Sequence, residues 1–486
     1  MHGEIPGQMV MSNPPMPVDP DDVARWRWLR KVRRILYGKW RTELEQCVRE
    51  QVGGVRSEAW KRVDLSANFY RSAWDALARS YDVPPTVTHA DEGAQGLIGP
   101  NGAIDQAGLW PMQQRTQRDT LGLREMFVRV DAVPTEAGAV LTYRPVFPDL
   151  VTVVTDSDRP DVPVKLCEVR QRELNGKRAW YWDVYDIRPG MECYKILDKE
   201  GVDYTEVFTG ETSEAYSGER YPFRYADGRP FLPFGFYHAA RTGRMWDSYS
   251  TTEMVEGTLN VGVLYTFLLH IVRNTAWKQR YTVDLEVGGA AWADENDDGM
   301  GRRSIVTDPA TVTQFYSRED AAGQPQIGQW AETSDPQKLI ETIGQYERRL
   351  AAMAGINPAD QMRMSGDPRS GYAIAVSRDA QREVAKRIEP VFQVADEDLI
   401  GKSAAMLRIA GGESYPESGY TVTYQGVPLS LDERRAHLDE IQTEIDLGLL
   451  SVVSAYQRRN PGTTEAEARA ALAEIQQQNR ALGPTR

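Results

Sequence analysis

The most chemically suggestive run in the chain is Asp294-Glu295-Asn296-Asp297-Asp298-Gly299. It matches the opening D-x-[DN]-x-[DN]-G of a calcium loop, in which spaced oxygen ligands and a glycine turn wrap a hard cation. The twelfth position of such a loop supplies a bidentate glutamate, and here it is Ile305. The flanks read as β rather than helical, so the run is expected to be an acidic loop tip with no metal and no cofactor. Asp294, Asp297 and Asp298 taken as metal ligands give the alternative, a metal-dependent α+β hydrolase or nuclease. Against an enzyme, no GxSxG, GxxxxGK[ST], HExxH or GxGxxG stands in a usable setting. The five histidines, His2, His89, His238, His270 and His437, show no nucleophile or ligand spacing, and His270 reads as a core residue of an apolar helix.

The three cysteines, Cys47, Cys167 and Cys193, are odd in number and far apart. They suit buried free thiols in a reducing compartment better than a disulfide framework or structural zinc. Lys and Arg total 57 against 70 Asp and Glu, a formal net charge of −13 over 486 residues. That balance disfavours a general nucleic-acid binder, whose affinity comes from clustered cations that release counterions from phosphates. One exception stands out: Arg25, Arg27, Arg30, Lys31, Arg33, Arg34, Lys39 and Arg41 form a basic block. Such a block reads as a solvated helix face, or as a contact for phosphates or an acidic neighbour. Residues 1–20 read as a proline-rich arm without the features of a signal peptide. The most apolar stretch, 261–272, is about 12 residues where a bilayer span needs about 20, so no membrane partner is expected.

These residues must be held by elements, and the hydrophobic spacing supplies them. Helical patterns run over 21–50, 57–81 (Leu65, Phe69, Ala73 and Leu77 every four residues) and 111–128. Residues 89–108 read as a loop. Alternation then predicts strands over 140–154, 164–173 and 177–187, with Asn175-Gly176 as the hairpin turn between the last two. A further turn at 198–201 separates strands at 194–197 and 204–208. Ser250 and Glu253 read as a capping box opening a helix from 251 to 279, about 43 Å long and apolar nearly all round in its middle. Short strands at 281–287, 304–306 and 312–316 form a compact insert. Asp335-Pro336 opens the next helix, with Leu339, Ile343, Tyr346, Leu350 and Met353 on one face. A loop at 359–370 leads to a helix with Ala373, Val376, Ala380, Val384, Ile388 and Val391 on one face, and Pro390 is expected to kink it. Tyr420–Tyr424 reads as a strand, and 432–482 as two helices parted by Asn460-Pro461-Gly462.

This order resembles the portal proteins of tailed bacteriophages. Three passages carry the resemblance. The first is Arg118-Asp119-Thr120-Leu121-Gly122 through Phe127-Val128-Arg129-Val130, then Tyr143-Arg144-Pro145-Val146 with Pro148-Asp149, which is similar to the entry of the portal wing. The second, Ser370-Gly371-Tyr372-Ala373-Ile374, resembles the start of the family's tunnel helix. The third, Leu447-Gly448-Leu449-Leu450-Ser451 before an Asn-Pro-Gly break, resembles its C-terminal segment. The resemblance covers most of 57–480; the basic block matches no family motif, and the C-terminal part is short.

The resemblance implies an α+β multidomain subunit with long stem helices, an α/β wing, a small α/β clip and a helical crown. By position, 1–250 would be the arm and wing, 251–279 the first stem helix, 280–332 the clip and 333–356 the second stem helix. The tunnel loop, tunnel helix and rest of the wing would fill 357–427, and 428–486 the crown. It implies a structural, non-enzymatic protein in a dodecameric ring at one capsid vertex of the virion, assembled in the host cytoplasm. Through that ring double-stranded DNA is packaged and ejected. Partners implied are the terminase large subunit, head-tail adaptor or tail proteins, and major capsid and scaffolding proteins. DNA would pass non-specifically, which the acidic composition favours, since a basic lining would retain it. Another head-tail adaptor is a further alternative. Carried over by position, Arg363, Arg369, Met362 and Met364 are the tunnel-loop candidates for DNA contact. Lys278, Arg280, Arg302 and Arg303 are candidates for basic rings near stem and clip. Leu264, Phe267, Leu268 and Ile271 are the subunit-interface candidates.

Overall fold

The N-terminal helix is set by its ends and its apolar face. Asp21 and Asp22 in the first turn and Arg33 and Arg34 in the last complement the helix dipole of α1 (Pro20–Leu36). Leu29, Val32, Ile35 and Leu36 are buried, and Gly38, at φ 71°, closes the helix. A second helix, α2 (Arg41–Val52), follows, so the periodicity over 21–50 belongs to two elements. The computed structural model describes residues 20–52, 62–136, 138–276, 280–283, 285–287, 315–317, 326–329, 336–356, 371–425, 431–459 and 464–481.

The spacing over 57–81 yields only the short α3 (Phe69–Leu77), capped by the Asn68 side chain, which accepts from the Arg71 N–H. Leu65 lies outside it. The expected loop at 89–108 holds two short helices, α4 (Gln95–Ile98) and α5 (Ala103–Gln106), and is preceded by strand β1 (Thr86–Thr88). The helix expected through 128 ends earlier, as α6 (Leu109–Leu123), because the chain turns at Arg124 (φ 75°) into strand β2 (Glu125–Thr135). Its residues Met126, Phe127, Val128 and Val130 are fully buried from both faces, so the strand lacks the alternation that would have announced it.

Two antiparallel sheets follow. β3 (Gly138–Val146), β2 and β8 (Phe234–His238) form one, in the order β3-β2-β8. The other is a meander of β4 (Val151–Thr155), β5 (Pro163–Leu174), β6 (Lys177–Asp186) and β7 (Cys193–Leu197). The Asn175-Gly176 hairpin forms as expected, with φ of 52° and 74° and Leu174 opposite Lys177. The strand expected at 204–208 is instead a helical turn, α7 (Thr205–Thr209), whose Thr205 hydroxyl accepts from the Ile196 N–H.

The chain then enters α8 (Thr252–Ala276), continues into strands β9 (Arg280–Val283) and β10 (Leu285–Val287), and returns through β11 (Phe315–Ser317) and β12 (Gln326–Gln329). β9 pairs with β12 and β10 with β11, giving two two-stranded antiparallel sheets, together called the ribbon. β12 was not legible in the sequence, and 304–306 lies outside the described residues. The returning helix is α9 (Pro336–Ala354), followed by the 39-residue α10 (Gly371–Ile409), which continues through Pro390. Phe392, Leu399, Ile400, Ala404 and Ala405 of α10 are buried against the β3-β2-β8 sheet, where Gly235 allows Leu399 to approach the strand closely. β13 (Thr421–Thr423) pairs back onto β1. Among the described residues the tail holds three helices rather than two: α11 (Leu431–Asp446), α12 (Val452–Arg459) and α13 (Glu465–Ala481), since Gly448 at φ 70° breaks the first early. The architecture is α+β.

The expected capping box does not form, because the Ser250 hydroxyl donates to Asp247 instead. The middle of α8 is also less uniform than its composition. Thr258 and Thr266 are buried with their hydroxyls bonded within the helix, and Gly262 sits under Trp40 of the loop before α2. A Cβ on Gly262 would meet the Trp40 ring at 2.8 Å and Leu44 at 3.0 Å. Gly262→Leu is therefore expected to lower unfolding free energy by about 2 kcal/mol through overpacking, read as a shift in the chemical denaturation midpoint. An unchanged midpoint would show that Trp40 swings aside freely.

The basic block is only in part a solvated face: Arg27, Arg34, Lys39 and Arg41 are exposed, whereas Arg25 is buried and Arg30, Lys31 and Arg33 are half-buried. The Arg25 guanidinium is 4% exposed, lies 3.4 Å from the centroid of the Trp246 ring and donates to Asp22 and to the Pro148 carbonyl. Arg33 pairs with the buried Asp149 at 2.8 Å, Lys31 with Glu256 at 2.7 Å and Arg34 with Glu43 at 2.8 Å. The block meets acidic neighbours, and they belong to its own chain.

Candidate functional site

The helix, ribbon and returning helix form one unit. Gly257 of α8 faces Leu350 of α9, and the Tyr265 hydroxyl donates to Glu347 at 3.0 Å, so the two helices run antiparallel. Toward its start α8 is a core helix, with Val255, Leu259, Val261 and Val263 buried. Toward the ribbon the apolar surface outruns the core: Leu269 is 45% exposed and Val272 50%. On α9, Ile340 near the ribbon is 55% exposed, Tyr346 in its middle 42% and Met353 at its far end 45%, so only part of its expected face is buried. Thr252–Val272 is long and apolar enough to cross a membrane by length and composition, longer than the 261–272 stretch read from the sequence. Packing on Trp40, Leu44 and Leu350 accounts for the apolar character of its first half.

Of the interface candidates, Leu264, Phe267 and Leu268 are half-buried against the chain's own core, and Ile271 is half-buried near the ribbon end. They are thus partly used within the chain's own core, and the exposed large apolar residues of α8 among the described residues are Leu269 and Val272, which the sequence did not single out. Arg280 lies on β9, opposite Gln329. Lys278, Arg302 and Arg303, together with Met362, Arg363, Met364 and Arg369, lie outside the described residues, as does the 294–299 run. Among the described residues no group of three His, Cys, Asp or Glu side chains gathers as a metal site. His270 is half-buried, Cys167 is buried, and Cys47 and Cys193 are half-buried, so only one thiol matches the expectation.

Three buried polar centres lie around the two sheets: one on α10, one between the sheets and one at the entry to α8. On α10, the fully buried Asp396 accepts from the hydroxyls of Tyr81 at 2.7 Å, Tyr237 at 2.7 Å and Tyr424 at 2.6 Å. The Gln113 amide adds a longer bond at 3.3 Å. Burial pushes the Asp396 carboxyl up to about 6, against the pull of the three hydroxyl bonds. Between the sheets, Arg129 bonds Asp131 and faces Glu168 at 3.9 Å, while Arg144 reaches Glu168 at 2.6 Å and Arg172 reaches Asp183 at 2.6 Å. These bonds hold the Arg129 guanidinium firmly charged despite its burial. At the entry to α8, Glu125 accepts from the Asp247 N–H and from the Ser248 hydroxyl.

None of these centres was found from the sequence. Tyr81, Gln113, Tyr237, Asp396 and Tyr424 come from five separate segments, so no local spacing could link them. The one local hint is that Asp396 interrupts an otherwise apolar helix face between Phe392 and Leu399. A carboxylate at a core position demands partners.

No family model and no curated protein matches the chain. Among solved structures, a chain of "Neck of empty GTA particle computed with C6 symmetry" is similar at 12% identity and a TM-score of 0.42, over 81% of this chain and 89% of that one.

Proposed function

We propose that this chain is a non-enzymatic structural subunit of the head-tail junction of a tailed bacteriophage particle. More specifically, we infer a portal-type ring subunit through which double-stranded DNA passes. The observation that carries this reading is the helix-ribbon-helix unit, which follows the two sheets in the chain and is itself followed by a helix of 39 residues, with apolar side chains left in solvent at its ribbon end. An apolar patch that the subunit itself does not cover is satisfied by a neighbour. Repeated head-to-tail contact closes into a ring when the rotation permits.

In this reading α8 and α9 form the stem, the ribbon the clip, α10 the tunnel helix, the two sheets the wing and α11 to α13 the crown. Arg363 and Arg369 would face DNA from the loop before α10, with Met362 and Met364 beside them. Lys278, Arg280, Arg302 and Arg303 would lie near the clip. Terminase and then tail or adaptor proteins would dock at the clip, and capsid and scaffolding proteins around the wing. A net charge of −13 per subunit leaves the assembled body strongly acidic, which suits a conduit that DNA traverses without sticking.

Native mass measurement with negative-stain imaging of the purified full-length chain tests the reading. Annular particles of closed symmetry are expected. A particle of single-subunit mass under every concentration and salt condition would overturn it.

A further inference from the structure

We propose that Glu125 is a proton-operated latch that fixes the segment entering α8 against the wing sheet. The inference concerns the chain itself and stands or falls independently of ring formation.

Residues 246–251 join the β8 side of the wing to α8, and besides local turn bonds such as Ser250 N–H to the Asp247 carbonyl they are held by side chains from distant parts of the chain. The Trp28 indole donates to the Ser248 carbonyl at 2.8 Å, and its ring stacks on Tyr249. Arg25 covers Trp246, and the Tyr70 hydroxyl bonds Thr251. Arg124 grips Asp247 through Nε at 3.1 Å and Nη2 at 2.9 Å. Glu125 completes the set from the first residue of β2, through the Asp247 N–H and the Ser248 hydroxyl. The basic N-terminal helix, which the proposed function leaves without a role, is therefore a strap over this segment.

Two geometric features make the segment movable. Arg124 holds a positive φ without being glycine, a backbone state that costs of order 1–2 kcal/mol and persists only while its surroundings enforce it. Arg124, Ser250, Thr251 and Glu253 also line a cavity of about 580 Å³ between α8, α9 and α10, which offers room for displacement.

The charged and titratable groups around Glu125 come from every side. Arg25 and Asp22 lie on α1, Arg124 precedes it, and His238 is its cross-strand partner on β8. Arg241 and Asp161 face His238, and Asp247 and Tyr249 belong to the segment itself. Burial pushes the Glu125 carboxyl up to about 7, while the bonds from Asp247 and Ser248 and the charges of Arg25 and Arg124 pull it down. Burial lowers the pKa of His238, so that ring gives up its proton on the acid side of the window. A carboxyl whose pKa is higher in the latched state than in water favours latching when protonated. Rising pH through 7 therefore favours release.

Hydrogen exchange on the full-length chain, expressed as protection relative to intrinsic exchange rates, reads this directly. Peptides covering 245–251 are expected to lose protection about tenfold between pH 6 and pH 8. Glu125→Gln, which mimics the neutral acid, is expected to keep its pH 6 protection at pH 8. Equal protection of the parent at both pH values, or a glutamine variant that loosens as the parent does, would overturn the latch. If the glutamine variant does not fold, the parent decides alone. A loss centred near pH 7 and confined to 245–251 sustains the proposal, and a loss shared by the β6 peptides overturns it.

Discussion

A chain carrying Leu269→Glu and Val272→Glu is expected to remain a folded single subunit under conditions where the parent assembles into rings. Both side chains are about half exposed in the isolated subunit, so glutamates there stay hydrated and cost the fold little. In a ring the same positions would be covered by the neighbouring stem. Each contact would then lose two apolar side chains, worth about 1 kcal/mol or more apiece, and bury two carboxylates without partners. Because the ring repeats the contact at every interface, the penalty repeats with it. Sedimentation velocity and far-ultraviolet circular dichroism, measured together, separate assembly from folding. Rings formed by the variant as readily as by the parent would remove this face of α8 from the interface. Charges at Leu264 or Leu268 give a less clean result, since both already pack on the subunit's own core.

The second large effect is at Asp396, where truncation and pH act together. In acid the parent carboxyl is neutral and satisfies three tyrosine hydroxyls, two of them on fully buried rings. Asp396→Ala leaves those hydroxyls without their partner and opens a small cavity, a loss of about 4 kcal/mol at pH 4. The gap should narrow as pH rises. A folded-state value of about 6 against an ordinary 3.8 means that the native protein holds its proton longer than the unfolded chain. The parent therefore loses about 2 kcal/mol between pH 4 and pH 7 through this group, a loss the alanine variant cannot suffer. Comparing the two proteins at each pH cancels the parallel contribution of Glu125. Chemical denaturation at pH 4 and pH 7 checks this; an equal gap at both would show that the Asp396 carboxyl titrates at its ordinary value.

Asp396 also explains how α10 is placed. The helix crosses the β3-β2-β8 sheet on apolar residues, which fixes its distance but leaves sliding along the groove nearly free. A carboxylate that must meet Tyr237 of β8, Tyr81 beyond α3 and Tyr424 beyond β13 admits only one position. The inter-sheet group of Arg129, Glu168 and Asp183 plays the same part between the two sheets. In both places directional polar bonds supply what non-directional burial cannot.

What the amino-acid order determined by itself is the succession of elements wherever the pattern is local. The Asn175-Gly176 hairpin and the long helices at 252–276, 336–354 and 371–409 follow from short-range periodicity and turn chemistry, which reports on neighbours a few residues away. Tertiary structure alone decided the rest. β2 is buried from both faces and so lacks alternation; the spacing of Leu65 to Leu77 continues past the helix because the same residues face the core without being helical; and 204–208 turns because Thr205 answers a backbone donor on β7. The covered half of the basic block reads as a water-facing surface because the partners of Arg33, Lys31 and Arg25, namely Asp149, Glu256 and Trp246, lie more than a hundred residues away in the chain. Pattern records which side of an element avoids water; it carries no information about which distant carboxylate or ring will meet a given cation once the chain has closed on itself.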